Sequence, residues 1–317
     1  PGAPFDFDAA RAKAVQAALR TLHLIAGVSY YKAAAPEVIA IDAYSIDAST
    51  ADFLTRIYEN GLGEFAYRNG LSLRGKIKFP SSGPAGHLLP QGEGKTTAFL
   101  PLPLGEGRGE GDATGEGRGE GAQAEGRGEG AHALVAIGGG KDSLVSIEAL
   151  RRLGIVQTVT WIGSAPLIRS CAEHTGLPLL NITRQLAPEL FAMNKQGALN
   201  GHIPVTAVNS AILTLAALLV GADQVVFSNE RSASYGSLIE GTGEVNHQWS
   251  KGWQFEKDFH NHVKTRIAKD LNYYSLLRPF SELAVARQFA KSDFYDAHFS
   301  SCNRNFHILG ERPTERW

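Results

Sequence analysis

The sequence predicts an α/β fold in which a parallel sheet is preceded by a smaller α+β domain. Short apolar runs with the length of buried strands lie at 134–137, 156–162, 179–182 and 224–227. Segments with apolar residues at helical spacing alternate with them, at 144–153, 166–174, 188–193 and 205–220. This alternation is typical of a parallel sheet covered on both faces. Before residue 100 the pattern is mixed, with helical spacing over 8–25 and 52–60 and a short strand-like run over 38–41.

A low-complexity repeat separates these two regions. Its unit Gly105–Gly111 returns at 115–121 and, with alanine in the first position, at 124–130. Ordering glycine is costly and the repeat has little apolar surface to bury, so it favours a surface insertion over a third domain. The sequence therefore divides into an N-terminal α+β domain on the substrate side, a Gly/Glu/Arg-rich insertion and an α/β domain, predicted over 1–100, 101–132 and 133–317.

The composition disfavours several classes of function. The 317 residues carry 31 Lys and Arg against 32 Asp and Glu, so no global basic field attracts nucleic acid. Two cysteines, Cys171 and Cys302, cannot form a disulfide framework, and the first residues show no secretion signal. The apolar run 211–222 is shorter than the roughly 20 residues that span a bilayer. We expect a cytoplasmic protein that binds neither nucleic acid nor membranes, with Cys171 in the core; Cys302, protein partners and oligomeric state stay open.

Residues 134–143 predict a phosphate-binding loop between a strand and a helix. The loop consists of Gly138, Gly139, Gly140, Lys141, Asp142 and Ser143. Glycines let the backbone approach an anion, and a helix start supplies free N–H groups. We expect Asp142 or Ser143 to cap the helix and Gly154 to end it. The spacing matches neither a Walker loop nor a dinucleotide fingerprint, and a turn without a ligand is the alternative.

Polar residues follow two other strands of the predicted sheet. Parallel sheets bind ligands beyond the carboxyl ends of their strands, so these residues are expected to share one crevice with the loop. Gly163 and Ser164 follow the second strand and are candidates to contact an adenosine. Glu230 and Arg231 follow the fourth strand, within Ser228–Ser232. A carboxylate there suits Mg²⁺ and a guanidinium suits a phosphate or carboxylate, whereas a surface ion pair between the two is the alternative.

Further candidates lie in loops, where catalytic residues concentrate. His202 lies in 201–204, and His247 and Lys251 lie in 246–251. Loop position alone makes them candidates for proton transfer, and a structural role is the alternative for each histidine. The turn 27–32 supplies hydroxyls and Lys32, which suit a lip of the substrate site or a packed turn. The spacing of Cys and His residues fits no metal site.

Several of these segments together resemble a known family. The loop 138–143 resembles the S-G-G-x-D-S loop of the ATP pyrophosphatase (PP-loop) superfamily, with Gly138 in place of the leading serine. Further segments resemble the UDP-N-acetylmuramoyl-L-alanyl-L-glutamate epimerase family of bacterial cell-wall synthesis, at 26–36, 201–206, 228–232, 246–248 and 311–313. We expect sequences of this family to continue beyond Trp317 into a cysteine-containing tail, which suggests a truncation.

The resemblance implies an ATP-dependent, Mg²⁺-requiring epimerase that inverts the terminal L-glutamate of a UDP-sugar dipeptide in peptidoglycan precursor synthesis, releasing AMP and diphosphate. Charge gives an independent reason for ATP. Removing a proton beside an ionised carboxylate builds a second negative charge next to the first, and the two charges repel each other. Adenylation of the carboxylate relieves this repulsion. In this hypothesis the loop glycines, Lys141 and Ser143 bind phosphate, and Asp142 holds Mg²⁺. Glu230 and Arg231 bind the metal and a carboxylate. The catalytic candidates are His202, His247, Lys251 and Glu230.

Two other functions fit the same residues. A different adenylating enzyme of the superfamily, such as an amide ligase or a tRNA- or nucleobase-modifying enzyme, would also release AMP but would need an amine or sulfur donor. A non-catalytic ATP-binding regulator would use the loops only to hold the nucleotide. Analysis of the reaction products separates these three functions.

Overall fold

A five-stranded parallel sheet organises the chain and confirms the predicted α/β class. The computed structural model describes residues 8–81, 131–239 and 243–301. In chain order the strands are β1 His132–Ala136, β2 Val156–Ile162, β3 Leu179–Ile182, β4 Gln224–Phe227, β5 Ser237–Ile239, β6 Gly243–Val245 and β7 Asn272–Ser275. The order across the sheet is β3-β2-β1-β4-β7, while β5 and β6 form a separate antiparallel hairpin. The four strands predicted after residue 132, at 134–137, 156–162, 179–182 and 224–227, are all present.

Helices cover the sheet and form most of the N-terminal part. They are α1 Ala9–Ala26, α2 Val28–Tyr31, α3 Ala48–Gly61, α4 Gly63–Arg68, α5 Lys141–Arg152, α6 Pro166–His174, α7 Pro188–Lys195, α8 Val205–Val220, α9 Trp253–His262 and α10 Glu282–Phe289. Each helix predicted from apolar spacing is confirmed, with shifts at some ends. For example, α3 starts at Ala48 rather than residue 52, because the Asp47 carboxylate accepts the Thr50 N–H at 2.8 Å and caps the helix there.

Two local predictions were wrong. Among the described residues, the run 38–41 forms an isolated bridge between Val38 and Lys78 instead of a strand. The Lys78 segment ends the pairing because Pro80 has no N–H for the next ladder bond. The second error concerns the start of α5, which Gly140 caps with extended backbone and, within the described chain, no side-chain hydrogen bond. Ser143 cannot serve as the cap because its hydroxyl donates to the Gly140 carbonyl at 3.0 Å.

The apolar core covers both faces of the sheet. One buried cluster joins α1 and α3 of the N-terminal part to α8 and α9, through residues such as Ile25, Phe53 and Phe259. The other cluster lies under α5 and α6 and includes Cys171, whose thiol has a pKa raised by burial to about 11. The N-terminal helices therefore share a core with the helices on one face of the sheet, and the prediction that Cys171 is a core residue is confirmed.

Some sequence predictions concern residues outside the described ranges. The boundary at residue 100, most of the insertion 101–132, Cys302 and the segment 311–313 are among them, so the predicted division into domains stays a prediction. Within the described residues, no helix combines the length and the apolar character needed to cross a bilayer.

Candidate active site

The strand order places a crevice beside β1. Because β2 and β3 lie on one side of β1 while β4 and β7 lie on the other, the order reverses between β1 and β4. Open parallel sheets bind ligands at such a point, beyond the carboxyl ends of the strands. The glycine loop follows β1 and Ser228–Ser232 follows β4, and the Ser228 hydroxyl donates to the Ser146 hydroxyl of α5 at 2.8 Å. The two predicted segments therefore flank the same crevice.

The glycine loop has the backbone geometry that an anion site needs. Gly139 has φ +80°, a left-handed conformation that other residues adopt at a cost. At Gly138, no described atom lies within 4 Å of the position that a Cβ would take, so the space beside it is open. Gly140 then leads into α5, whose first N–H groups point out of the helix. Such a start attracts negative charge through these groups and the helix dipole.

Lys141 and Asp142 form a charged cluster at the start of α5. The Lys141 ammonium lies 3.0 Å from an Asp142 oxygen and 3.4 Å from Glu282 of α10. Burial lowers the pKa of Lys141, but the two carboxylates outweigh it, and the pKa is raised. The Asp142 side chain is 39% exposed, so it can be reached from solvent. Sequence reasoning missed Glu282, because its contact with Lys141 depends on packing between α5 and α10.

A segment near the end of the described chain lies over the loop. The Ser300 N–H donates to the Gly139 carbonyl at 2.8 Å, and the Ser301 hydroxyl accepts the Lys141 N–H at 3.4 Å. Sequence reasoning missed both serines, since neither follows a strand or belongs to a motif. Their contacts fix the far side of the loop and leave the Gly138 side open.

After β4, Glu230 forms hydrogen bonds within the protein that the sequence did not predict. The Glu230 carboxylate accepts the N–H and the hydroxyl of Ser232, each at 2.6 Å, and caps the 3₁₀ turn Arg231–Ser234. The Arg231 side chain is exposed and forms no ion pair with Glu230 among the described residues, so the alternative of a surface pair does not hold. A metal at Glu230 and an anion at Arg231 stay predictions.

The structure brings Lys251, His202 and His247 together next to the crevice. The rings of His202 and His247 lie 6.3 Å apart in an edge-on arrangement. Lys251 is half-buried and interacts electrostatically with Asp142 and Glu230 as well as with His202. Three candidates that were selected by loop position alone therefore form one cluster with the carboxylates of the crevice.

Burial shifts the proton affinity of this cluster. It lowers the pKa of Lys251 below its ordinary value, although Asp142 and Glu230 act in the opposite direction. Burial also lowers the pKa of His202, with Glu64 opposing the shift and the charges of His247 and Lys251 adding to it. Both side chains are thus closer to a neutral, proton-accepting form than free lysine or histidine. Shifts of this kind are typical of groups that transfer protons.

A buried arginine that sequence reasoning missed holds this cluster in place. Arg278 donates to a Glu256 oxygen at 2.7 and 3.0 Å, and the two side chains are only 12% and 6% exposed. Its remaining N–H groups reach the carbonyls of Glu230 at 2.9 Å and Lys251 at 2.6 Å and the hydroxyl of Ser234 at 3.3 Å. One guanidinium therefore links the loop after β4, the 3₁₀ turns and α9.

The remaining candidates lie at the edges of the site. Gly163 ends β2 with φ +108°, and its N–H donates to the Ile182 carbonyl at 2.8 Å. Ser164 is exposed, and an adenosine contact there stays a prediction. Lys32 is buried and donates to the Asn200 side chain, and burial lowers its pKa. The turn 27–32 is therefore packed, and it supports the loop that carries His202.

Comparison with known proteins identifies the family of this chain. The family model described as the MurL N-terminal domain matches residues 1–108 and 106–276. The chain belongs to this family. A UDP-N-acetyl-alpha-D-muramoyl-L-alanyl-L-glutamate epimerase from Xanthomonas oryzae pv. oryzae is 64% identical over 317 residues, which is 100% of this chain and 62% of that protein.

Two less similar relatives carry the same name. Proteins from Salinispora tropica and Micromonospora sp. are each 38% identical over 299 residues, or 94% of this chain, and the match covers 57% and 59% of their lengths. The chain thus spans about three fifths of the curated relatives it matches. A predicted subunit of a tRNA methyltransferase from Methanocaldococcus jannaschii aligns at 17% identity over 51% of this chain and 76% of that one, with a TM-score of 0.34.

Proposed function

We propose that this chain belongs to an enzyme that inverts the terminal L-glutamate of UDP-N-acetylmuramoyl-L-alanyl-L-glutamate to D-glutamate, in an ATP-dependent reaction of peptidoglycan precursor synthesis. The observation that carries the proposal is Lys251, whose side chain interacts electrostatically with Asp142 of the glycine loop, with Glu230 and with His202. A nucleotide-activation site and a proton-transfer site would then adjoin. The names of the relatives support the same reaction.

The chemistry of the substrate explains why these two sites would have to adjoin. The proton to be removed lies on the carbon beside an ionised carboxylate, and two unit charges a few Å apart repel strongly in a site that excludes water. With ATP bound, the carboxylate would attack the α-phosphorus, diphosphate would leave, and the acyl group of the resulting adenylate would no longer carry the charge that causes this repulsion. A group that takes the proton must then reach a carbon attached to the activated carboxyl, which requires the base and the phosphate loop to be close neighbours.

The loop fits a bound triphosphate. The open space beside Gly138, the left-handed Gly139 and the outward N–H groups at the start of α5 would hold the phosphates. Lys141 would exchange part of its contact with Asp142 and Glu282 for phosphate oxygens. A cation at this position would compensate the charge of the nucleotide.

The carboxylates fit Mg²⁺ in part. Mg²⁺ bound with nucleotides needs one or two protein carboxylates, with the other ligands from phosphates and water. Asp142 is accessible for this role, whereas Glu230 already accepts two hydrogen bonds from Ser232. Among the described residues no group of three or more His, Cys, Asp or Glu forms a metal site, so Mg²⁺ would depend on the nucleotide.

Proton transfer would use the cluster of Lys251, His202 and His247. Inversion needs a base on one face of the carbon and an acid on the other. Burial lowers the pKa of Lys251 and of His202, which moves each side chain toward its neutral, proton-accepting form. The Gln248 amide lies 3.0 Å from His247 Nε2 and orients that ring. Water from the solvent would finally hydrolyse the acyl adenylate and release AMP.

The decisive experiment incubates the substrate with protein and ATP in D₂O, and then follows AMP release, the chirality of glutamate and deuterium at its α-carbon. We expect D-glutamate with deuterium in the parent. Asp142→Asn is expected to lower turnover by about 100-fold or more, as loss of a group that stabilises the reacting charge does. Asp270→Asn, a change at an exposed aspartate, is the matched control and should retain activity.

A second variant separates activation from proton transfer. Lys251→Met should keep the release of diphosphate but lose most of the α-carbon exchange, because it removes a proton acceptor and leaves the loop intact. AMP formation without any deuterium at the α-carbon of the parent would reject the epimerase and favour an amide ligase or a modifying enzyme of the same superfamily. ATP binding without any turnover would favour a regulator.

A further inference from the structure

A second cavity lies beside the proton-transfer cluster. Its volume is about 650 Å³, within the range of small-molecule sites. Its walls come from α3, α4 and the segment after α4, and from β6 and the start of α9. None of its lining residues belongs to the glycine loop or to Ser228–Ser232, and Ser234 of the 3₁₀ turn after β4 lies at its edge toward the crevice. A ligand in it would therefore occupy a place separate from the phosphate loop.

The walls of this cavity are continuous with the cluster. Asn246 lines the cavity and immediately precedes His247, and Trp249 and Gly252 lie on either side of Lys251. On α4, Gly63 lines the cavity next to Glu64, which interacts with His202. Neighbouring residues along a chain are 3.8 Å apart at their Cα atoms, so the same backbone forms both walls. A substrate whose end reacts at the cluster would extend into this cavity.

The side chains of the cavity suit a sugar. Trp253 and Tyr67 present aromatic surfaces that are about half exposed, at 52% and 49%. Glu59 and Glu244 each have one carboxylate oxygen fixed by a backbone N–H, from Gly75 at 2.6 Å and Gly236 at 2.8 Å. Carboxylates fixed in this way are good acceptors for hydroxyl groups, and aromatic faces pack against the C–H surface of a pyranose ring.

The charged residues of the cavity disfavour binding of the diphosphate of a nucleotide sugar there. The cavity contains the two carboxylates of Glu59 and Glu244 and one cation, Arg74. This balance repels a diphosphate but accommodates a neutral ring with hydroxyl and amide groups. The Asn246 side chain, which donates to the Ala233 carbonyl at 3.3 Å and accepts the Gln248 N–H at 2.8 Å, keeps the shared wall in position.

We propose that this cavity binds the N-acetylated muramoyl sugar of the substrate, while the peptide attached to it leads to the cluster of Lys251, His202 and His247. The proposal rests on the proposed function for the identity of the substrate. It predicts that the aromatic residues of the cavity determine affinity for the sugar and leave the chemical step unchanged.

The test measures binding of UDP-N-acetylmuramic acid, which lacks the dipeptide, by titration calorimetry with the protein. Trp253→Ala is expected to weaken binding about tenfold, the effect of losing one aromatic contact. Phe191→Ala is the matched control, because Phe191 is an equally exposed aromatic residue, at 51%, that does not line the cavity. Tyr67→Ala provides a second, independent variant, and thermal unfolding checks that each variant is folded.

Kinetics complete the test. Trp253→Ala should raise KM for the full substrate about tenfold with kcat within about twofold, because the contact lies away from the reacting carbon. If the parent epimerises the substrate while Trp253→Ala and Tyr67→Ala behave like Phe191→Ala, the sugar assignment is wrong and the proposed function stands. If the sugar binds in a manner that depends on Trp253 but no epimerisation occurs, the proposed function is wrong and the cavity assignment stands.

Discussion

The stability of the protein is expected to fall in mild acid because of one buried histidine, His262. This residue ends α9, stacks on Phe53 with ring centroids 4.5 Å apart and forms a 3.0 Å hydrogen bond with the Thr21 hydroxyl. Burial lowers its pKa from 6.5 to about 4; Arg266 adds to the shift and Asp47 opposes it. The neutral ring is therefore favoured in the folded state.

The sign and size of the effect follow from proton linkage. Between pH 6.5 and 4 the unfolded chain binds a proton at this residue and the folded chain does not, so stability falls as pH falls through this range. One pKa unit corresponds to about 1.4 kcal/mol, so the full loss below pH 4 would be about 3 kcal/mol. Between pH 7.5 and 5 the expected loss from His262 is about 2 kcal/mol.

Urea unfolding of the parent and of His262→Gln at pH 7.5 and pH 5 measures this contribution. Glutamine retains a hydrogen-bonding group for Thr21 but does not titrate. We expect the difference in unfolding free energy between the two proteins to shrink by about 2 kcal/mol on going to pH 5. If the two proteins lose stability in parallel between these pH values, the histidine is not neutral in the folded state and the reasoning is refuted.

Two other predictions concern the site. Arg278→Met should cost about 3–5 kcal/mol of unfolding free energy, because it leaves Glu256 buried without its partner, and the double variant with Glu256→Met should recover part of that loss in urea unfolding. Equal stability of the single and double variants would contradict this. Gly139→Ala should cost about 1 kcal/mol through its φ of +80°, whereas Gly138→Ala should leave thermal stability unchanged and weaken ATP binding measured by calorimetry. Unchanged ATP affinity in Gly138→Ala would argue against a phosphate beside that glycine.

Periodicity and loop chemistry predicted much of the fold because those signals are local. The strand runs and helices from β1 to β4 are confirmed, and the position of the glycine loop at the end of β1 follows from them. The fifth sheet strand, β7, was missed. It has four residues, Asn-Tyr-Tyr-Ser, and its place depends on pairing with β4, which no local pattern encodes.

Some features of the candidate site could likewise be predicted from the sequence, and others could not. The proximity of the loop to Ser228–Ser232 could be predicted, because strand order brings the carboxyl ends of parallel strands to one edge. The capping role of Glu230 could not, since it depends on a 3₁₀ turn that brings the Ser232 N–H to the carboxylate. His202 and Lys251 lie 49 residues apart in the sequence, and their meeting depends on the packing of two loops that no motif relates.

Arg278 fixes the backbone around the proposed proton-transfer cluster, which explains how its side chains can lie partly out of contact with water. Removing a lysine such as Lys251 from water is costly unless neighbouring groups are fixed to compensate it. Arg278 provides that fixation by binding the backbone carbonyls of Glu230 and Lys251 at once, while Glu256 neutralises its charge. One guanidinium therefore fixes the backbone of both residues, Glu230 with its carboxylate and Lys251 with its ammonium. The Arg278–Glu256 ion pair, and not Lys251, holds the surrounding backbone in place. Lys251 can therefore lose its charge without disturbing the local structure.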